Sequence, residues 1–164
     1  MAFEISAPGS QIVNPGASIV FSVNPVPCGS GLIYWRPGTG LIRLAAPSVI
    51  AGCSCGVVPW NCCGMLQADY DLDFHANIQI PEGGTAGSVL SLAVAIDGVT
   101  DPDSIMQSTP ASPEEPENVG AGIVVSVPWI CRCAAIQVIN TSTVPVEVLN
   151  PNMKLNFEGV ARRR

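Results

Sequence analysis

The stretch that decides the fold runs from Gln67 to Asp97: QADYDLDFHANIQIP (67–81), EGGTAG (82–87), SVLSLAVAID (88–97). In its first run Tyr70, Leu72, Phe74, Ala76, Ile78 and Ile80 alternate with Asp69, Asp71, Asp73, His75, Asn77 and Gln79. A period of two places the apolar set on one face of a long strand and the polar set on the other. Pro81 and Gly83-Gly84 then end the strand and turn the chain. In the second run Leu90, Leu92, Val94 and Ile96 share one face, and Ser91, Ala93 and Ala95 the other. Long strands joined by a glycine turn, each with an apolar face, predict an all-β antiparallel sandwich rather than a helical or α/β protein.

Outward from this pair, apolar-rich runs recur between Pro, Gly and Asn signals at 18–23, 32–35, 41–45, 122–127, 134–140, 144–149 and 153–160. Together they make about nine strands at sandwich spacing, with no helix-period pattern between them. Thr109–Glu117, TPASPEEPE, holds three prolines and three glutamates with little to bury, and predicts an exposed excursion. No internal repeat or linker divides the chain. The expected organisation is an N-terminal arm over 1–17, one domain over 18–160 and a basic tail over 161–164.

The chain has 164 residues, nearly half of them hydrophobic and only 12% charged. That charged share is about half the usual one, so part of the apolar excess is expected to be covered by other subunits. Seven Lys and Arg stand against 13 Asp and Glu, for a net charge of −6. Arg162, Arg163 and Arg164 account for three of the seven, leaving four cations against 13 acids, a net of −9, in the body. An acidic body argues against nucleic-acid binding, which needs clustered cations on phosphate. The triple arginine reads either as a solvated tail or as a contact for an acidic partner. No apolar run is long enough to span a membrane, and MAFEISAPGSQ lacks the plan of a secretory signal, so synthesis in a cytoplasm is expected.

Seven cysteines fall as Cys28, Cys53-x-Cys55, Cys62-Cys63 and Cys131-x-Cys133. Two cysteines one residue apart in a strand share a face, with Cα atoms roughly 6.5–7 Å apart. That is at or beyond the disulfide limit, which favours bonds to other strands. An odd count leaves at least one thiol free or bonded to another chain. Three readings stay open: stapling disulfides formed after release, buried reduced thiols, or a zinc site, for which the spacing lacks the usual Cys-x2-Cys pairs.

His75 is the only histidine. It extends the aspartate row, but alternate positions in a strand lie roughly 6.7 Å apart, so the row cannot converge on one ion within one chain. Asp101 and Asp103 read as turn formers. The chain has no phosphate-binding glycine loop, HExxH or GxSxG, and one histidine to serve as a base, so no enzymatic activity and no cofactor are expected. Asn140-Thr141-Ser142 matches a glycosylation acceptor that has no meaning without a secretory route.

FHANIQIPEGGTAGSVLSLAVAIDG (74–98), then SIMQSTPA, ENVGAGIVVSVP and IQVINTSTVPVEVLNPNMKLNF, resembles small jelly-roll proteins encoded beside capsid genes in bacteriophages and prophages of gut Firmicutes. That group in turn is similar to the tumour-necrosis-factor and complement globular-head jelly roll, which assembles as trimers. The resemblance covers roughly Val20 to Val160, with ANIQIPEGG (Ala76–Gly84) as its best marker. YWRPGTGLIRL (Tyr34–Leu44) matches the group's pattern of an aromatic plus Arg before a glycine turn. The cysteines crowded between Cys53 and Cys63 depart from it.

The resemblance implies a homotrimeric jelly roll on the virion exterior, decorating or cementing a phage capsid or forming the base of a head fibre. Its partners would be itself and the major capsid protein or other virion proteins. An alternative is a filament or spore-appendage subunit cross-linked through cysteines. A glycan- or receptor-binding head would use Trp35, Trp60 or Trp129, although tryptophans in sandwiches usually anchor cores or interfaces. Small side chains on one face of 88–97 let another layer approach closely, so Ser91, Ala93 and Ala95 are expected to be buried near a subunit contact.

Overall fold

The alternation that begins at Gln67 produces a strand of 14 residues, Leu66–Gln79, and its apolar set, Ala68 to Ile78, is fully or almost fully buried. The computed structural model describes residues 2–27, 32–45, 66–128 and 133–162. Within these the chain forms β1 (Ala2–Ser6), β2 (Ser10–Val13), β3 (Val23–Val26), β4 (Ile33–Trp35), β5 (Ile42–Ala45), β6 (Leu66–Gln79) and β7 (Leu90–Ile96). It continues through β8 (Val99–Thr100), a 3-10 turn (Pro102–Ser104), β9 (Met106–Ser108), β10 (Glu117–Pro128), β11 (Cys133–Asn140) and β12 (Val146–Arg162).

Two antiparallel sheets pack face to face. One has the order β10-β6-β12-β1-β3, with β2 also on β12; the other runs β4-β5-β11-β7-β8, with β9 also on β7. We call them the long and the short sheet. Strands adjacent in sequence often lie in different sheets, which is the jelly-roll connection. The core joins Phe3, Ile5, Tyr70, Leu72, Phe74 and Leu155 of the long sheet to Ile42, Leu44, Ile136, Val138, Leu92 and Val94 of the short one. Tyr70 also ties the sheets with a polar link: its hydroxyl donates to the Ala45 carbonyl at 2.5 Å.

Several expectations are corrected. Residues 2–17, expected to form an arm with residue 1, are not one. β1 pairs with β12 from Ala2↔Asn156 to Ser6↔Asn152, and β2 pairs with it from Val13↔Val146 to Ser10↔Leu149. Phe3, Ile5 and Val13 enter the core, although two or three apolar residues make too short an alternation to announce a strand. The runs 144–149 and 153–160 are one strand. The Asn150-Pro151 irregularity is absorbed because the β1–β2 turn supplies its partners: Gly9 N–H donates to Asn150 Oδ1 at 2.9 Å, and Ala7 N–H to the Pro151 carbonyl at 3.0 Å. Asn150 there takes the left-handed region, φ 46°. Residues 18–22 form no strand of their own but are bound in: Ile19 and Phe21 are fully buried in the core, Ile19 N–H donates to the Val138 carbonyl at 2.8 Å, and isolated bridges stand at Ser18 and Phe21. Arg162 closes β12 opposite Leu66 rather than opening a free tail; Arg163 and Arg164 lie outside the described residues.

Candidate functional site: the two outward faces

A sandwich that uses its inward faces for the core has its outward faces, edges and loops left for function. On the long sheet, β6 turns Asp69, Asp71, Asp73, His75, Asn77 and Gln79 outward. Register places Gly120 and Asn152 on either side of His75, and Gly122 and Lys154 on either side of Asp73. The His75 Nε2 lies 3.0 Å from Asp73 Oδ1. A Cβ added to Gly120 would sit 2.5 Å from His75 Nδ1, so the imidazole lies over the bare glycine and would have to move aside for any side chain there. Asp69 accepts from Gln67 and Ser126, Glu4 from Asn152, and Glu147 from Gln79. This face is therefore mostly polar and internally hydrogen-bonded, with exposed Val124 and Ile12 as apolar exceptions. Among the described residues no group of three His, Cys, Asp or Glu is placed to hold a metal ion.

The outward face of the short sheet differs. Its centre is Ser91, Ala93 and Ala95 of β7, flanked in register by Gln107, Ile139 and Gln137. Ala93 is 0% and Ala95 2% exposed, yet neither belongs to the core cluster. Ile139 and Gln137 stand beside them in register, and they are buried within the single chain, so this burial needs no second subunit. Ser91 meets Thr141 hydroxyl to hydroxyl at 2.7 Å. Between β8 and β9, on the side of β7 away from β11, Ser104 is buried; its hydroxyl accepts from Val94 N–H at 2.8 Å and donates to the Asp101 carbonyl. Asp101 Oδ1 in turn accepts from Asp103 N–H at 2.9 Å, the turn-forming role expected of it.

Towards the other margin of that face, Tyr34 of β4 stands opposite Arg43 of β5. With Arg36, Thr39 and Leu41 they line an open recess of about 310 Å³. Thr39 braces the turn by donating its hydroxyl to the Arg36 carbonyl at 2.7 Å. Tyr34, Arg36 and Arg43 are exposed, and among the described residues neither guanidinium has a carboxylate within ion-pair distance. The signal for this recess was present in the sequence: alternation on each side of the Pro37–Gly40 turn puts Tyr34, Arg36, Leu41 and Arg43 on one face.

Asn140 was also overlooked as a structural residue. Its side-chain amide, 1% exposed, donates to the Val13 and Val144 carbonyls at 2.8 and 2.9 Å, fastening three segments together. The glycosylation-like triplet is thus spent on hydrogen bonds. Of the seven cysteines, Cys133 is exposed and free at the start of β11. Cys28, Cys53, Cys55, Cys62, Cys63 and Cys131 lie outside the described residues, as do Trp60 and Trp129. Trp35 is half-buried and packs against the core. Among the described residues no helix is long and apolar enough to cross a membrane.

No family model and no curated protein matches this chain. Solved structures do match it. The globular domain of zebrafish complement 1qA protein superposes with a TM-score of 0.63 at 12% identity, covering 99% of this chain and 98% of that one. Eiger TNF from S. frugiperda gives 0.55 at 9% identity, covering 97% and 93%. The PRD1 vertex protein P5 covers 99% and 96% at 10% identity, but its TM-score of 0.33 is too low to bear on the argument. At these identities the likeness is one of fold: a C1q/TNF-like jelly roll.

Proposed function

We propose that this protein is a non-enzymatic structural protein of the virion exterior, a homotrimeric jelly roll that decorates or cements a bacteriophage capsid or forms the base of a head fibre. The observation that carries the reading is that the sandwich takes up nearly the whole described chain, from Ala2 to Arg162. Its likeness to a complement globular domain spans 99% of the sequence. Described residues that are nearly all scaffold leave faces, edges and loops for function. The trimer follows from the fold family that the sequence resembles, and it would cover part of an apolar excess that 12% charged residues leave at the surface. The phage setting rests on the resemblance of 74–98 and the later segments to capsid-adjacent jelly rolls. Light scattering of the purified chain and co-sedimentation with capsids test both halves. A trimer retained on capsids is expected, and a stable monomer that ignores capsids overturns the reading.

A second reading, a filament or appendage subunit cross-linked by cysteines, is favoured by the exposed thiol of Cys133. Non-reducing electrophoresis separates the two. Ladders that collapse with reductant support the filament, whereas a reductant-insensitive trimer supports decoration.

A further inference from the structure

The two margins of the sandwich carry opposite charge. On one side stand the edge strands β3 and β4, joined by the Phe21–Thr39 bridge, with the Tyr34, Arg36 and Arg43 recess beside them. On the other side stand the edges formed by β9 and β10, joined by the excursion Thr109–Pro116, which is exposed from Ala111 onward. Only four cations lie outside the terminal triple arginine, and two of them share this recess without an acidic partner among the described residues. The opposite excursion presents Ser112-Pro113-Glu114-Glu115-Pro116, all exposed. It is held in shape: Glu114 takes φ 65°, its N–H reaches the Ile80 carbonyl at 3.4 Å, and the Ser112 hydroxyl donates to Glu115 at 3.0 Å.

We infer that the Pro113–Pro116 segment of one copy docks in the Tyr34/Arg36/Arg43 recess of the next. The chemistry matches group by group. Two guanidinium forks suit two carboxylates, and an exposed tyrosine ring suits a proline ring. Flanking prolines limit the ordering cost of docking. The two patches lie at different levels along the sheet. Arg43 stands opposite Ala135, whose carbonyl accepts from Asp97 N–H at the end of β7, whereas the excursion leaves β9 at Ser108, opposite Leu90 at the start of β7. Seven residues along a strand are about 23 Å, so in a closed ring each copy must tilt against the next to bring the patches together. Complementary patches on opposite margins make a head-to-tail contact. The inference rests on the trimeric reading above and adds the contact that sets its register.

The test uses the full chain and two paired charge reversals, Arg36→Glu/Arg43→Glu and Glu114→Arg/Glu115→Arg, with the four-site combination. All four positions are exposed, so each variant should melt like the parent. The midpoint concentration for trimer dissociation, read by light scattering, should rise at least tenfold in either pair and return to within about threefold of the parent in the combination. Raising salt from about 0.05 M to about 0.5 M should weaken the parent trimer in the same direction. A parent that is monomeric overturns the trimeric reading and this contact with it. A parent trimer indifferent to both reversals overturns the contact alone. Two dissociating reversals that fail to rescue each other overturn the pairing, as does an Arg36→Glu/Arg43→Glu trimer that has only lost capsid binding, since the recess then holds an acidic group of the shell.

Discussion

Strands β6 and β7 have the same period of two and meet solvent in opposite ways. β6 buries one face and exposes the other, so its pattern is a direct record of core and water. β7 is buried on both faces along six of its seven residues, although it lies in a sheet with one face turned outward. The difference comes from side-chain size. An aspartate or histidine on the outward face reaches past its neighbours into water. An alanine there lies below the level of Ile139 and Gln137 on the adjoining strand and is enclosed without any further layer. Small residues on an outward face are therefore evidence of shielding by neighbouring strands before they are evidence of a subunit contact.

That contrast can be broken most directly at Ala93. Replacing it with arginine forces a charge between flanking side chains, and the cost should be about 3 kcal/mol or more. For a domain of this size that lowers the melting temperature by about 10 °C. The matching change Asp71→Arg on the open face of β6 should stay within about 0.5 kcal/mol. If both variants melt like the parent, the two faces are equivalent and the shielding argument fails.

The next largest effect belongs to Asn140→Ala. It leaves the Val13 and Val144 carbonyls without their shared donor, at about 2 kcal/mol. Denaturant unfolding should show a lower midpoint with an unchanged slope. A smaller effect, about 1 kcal/mol, is expected of Tyr70→Phe, which keeps the ring beside Phe157 and removes the hydroxyl that links the two sheets. A loss of several kcal/mol would mean that this hydroxyl organises more of the core than one carbonyl.

The smallest effect should come from Gly120→Ala on the open face. The new methyl displaces the His75 ring and breaks its 3.0 Å contact with Asp73, while stability moves by no more than about 0.5 kcal/mol because both partners are exposed. The readout is the His75 ring signal in an NMR spectrum. An unmoved signal would show that the ring does not lie over Gly120.

Much of the fold was legible from residue patterns alone. β6, β7, β5 and β11 are long enough, or alternate cleanly enough, for period to identify them, and Pro81 with Gly83-Gly84 marks the turn after β6. The polar row on β6 was equally plain. What the pattern did not reveal depends on partners far away in sequence. β1 and β2 are too short to stand out, and they are strands because β12 offers a ladder more than 130 residues later. The Asn150-Pro151 break reads as a loop until the β1–β2 turn is seen to satisfy it.

By itself, then, the sequence determined an all-β sandwich with an acidic body and one face of each long strand in the core. Alternation and charge are local properties of a chain, and they do not depend on what lies beside it. Tertiary structure decided the rest: the joining of 146–162 into one strand, the enclosure of Ala93 and Ala95, the use of Asn140 as a fastener, and the placing of Arg36 and Arg43 across the molecule from Glu114 and Glu115. Each of these is set by which strands become neighbours. That is chosen by the burial and backbone pairing of the whole chain at once, which no local window contains.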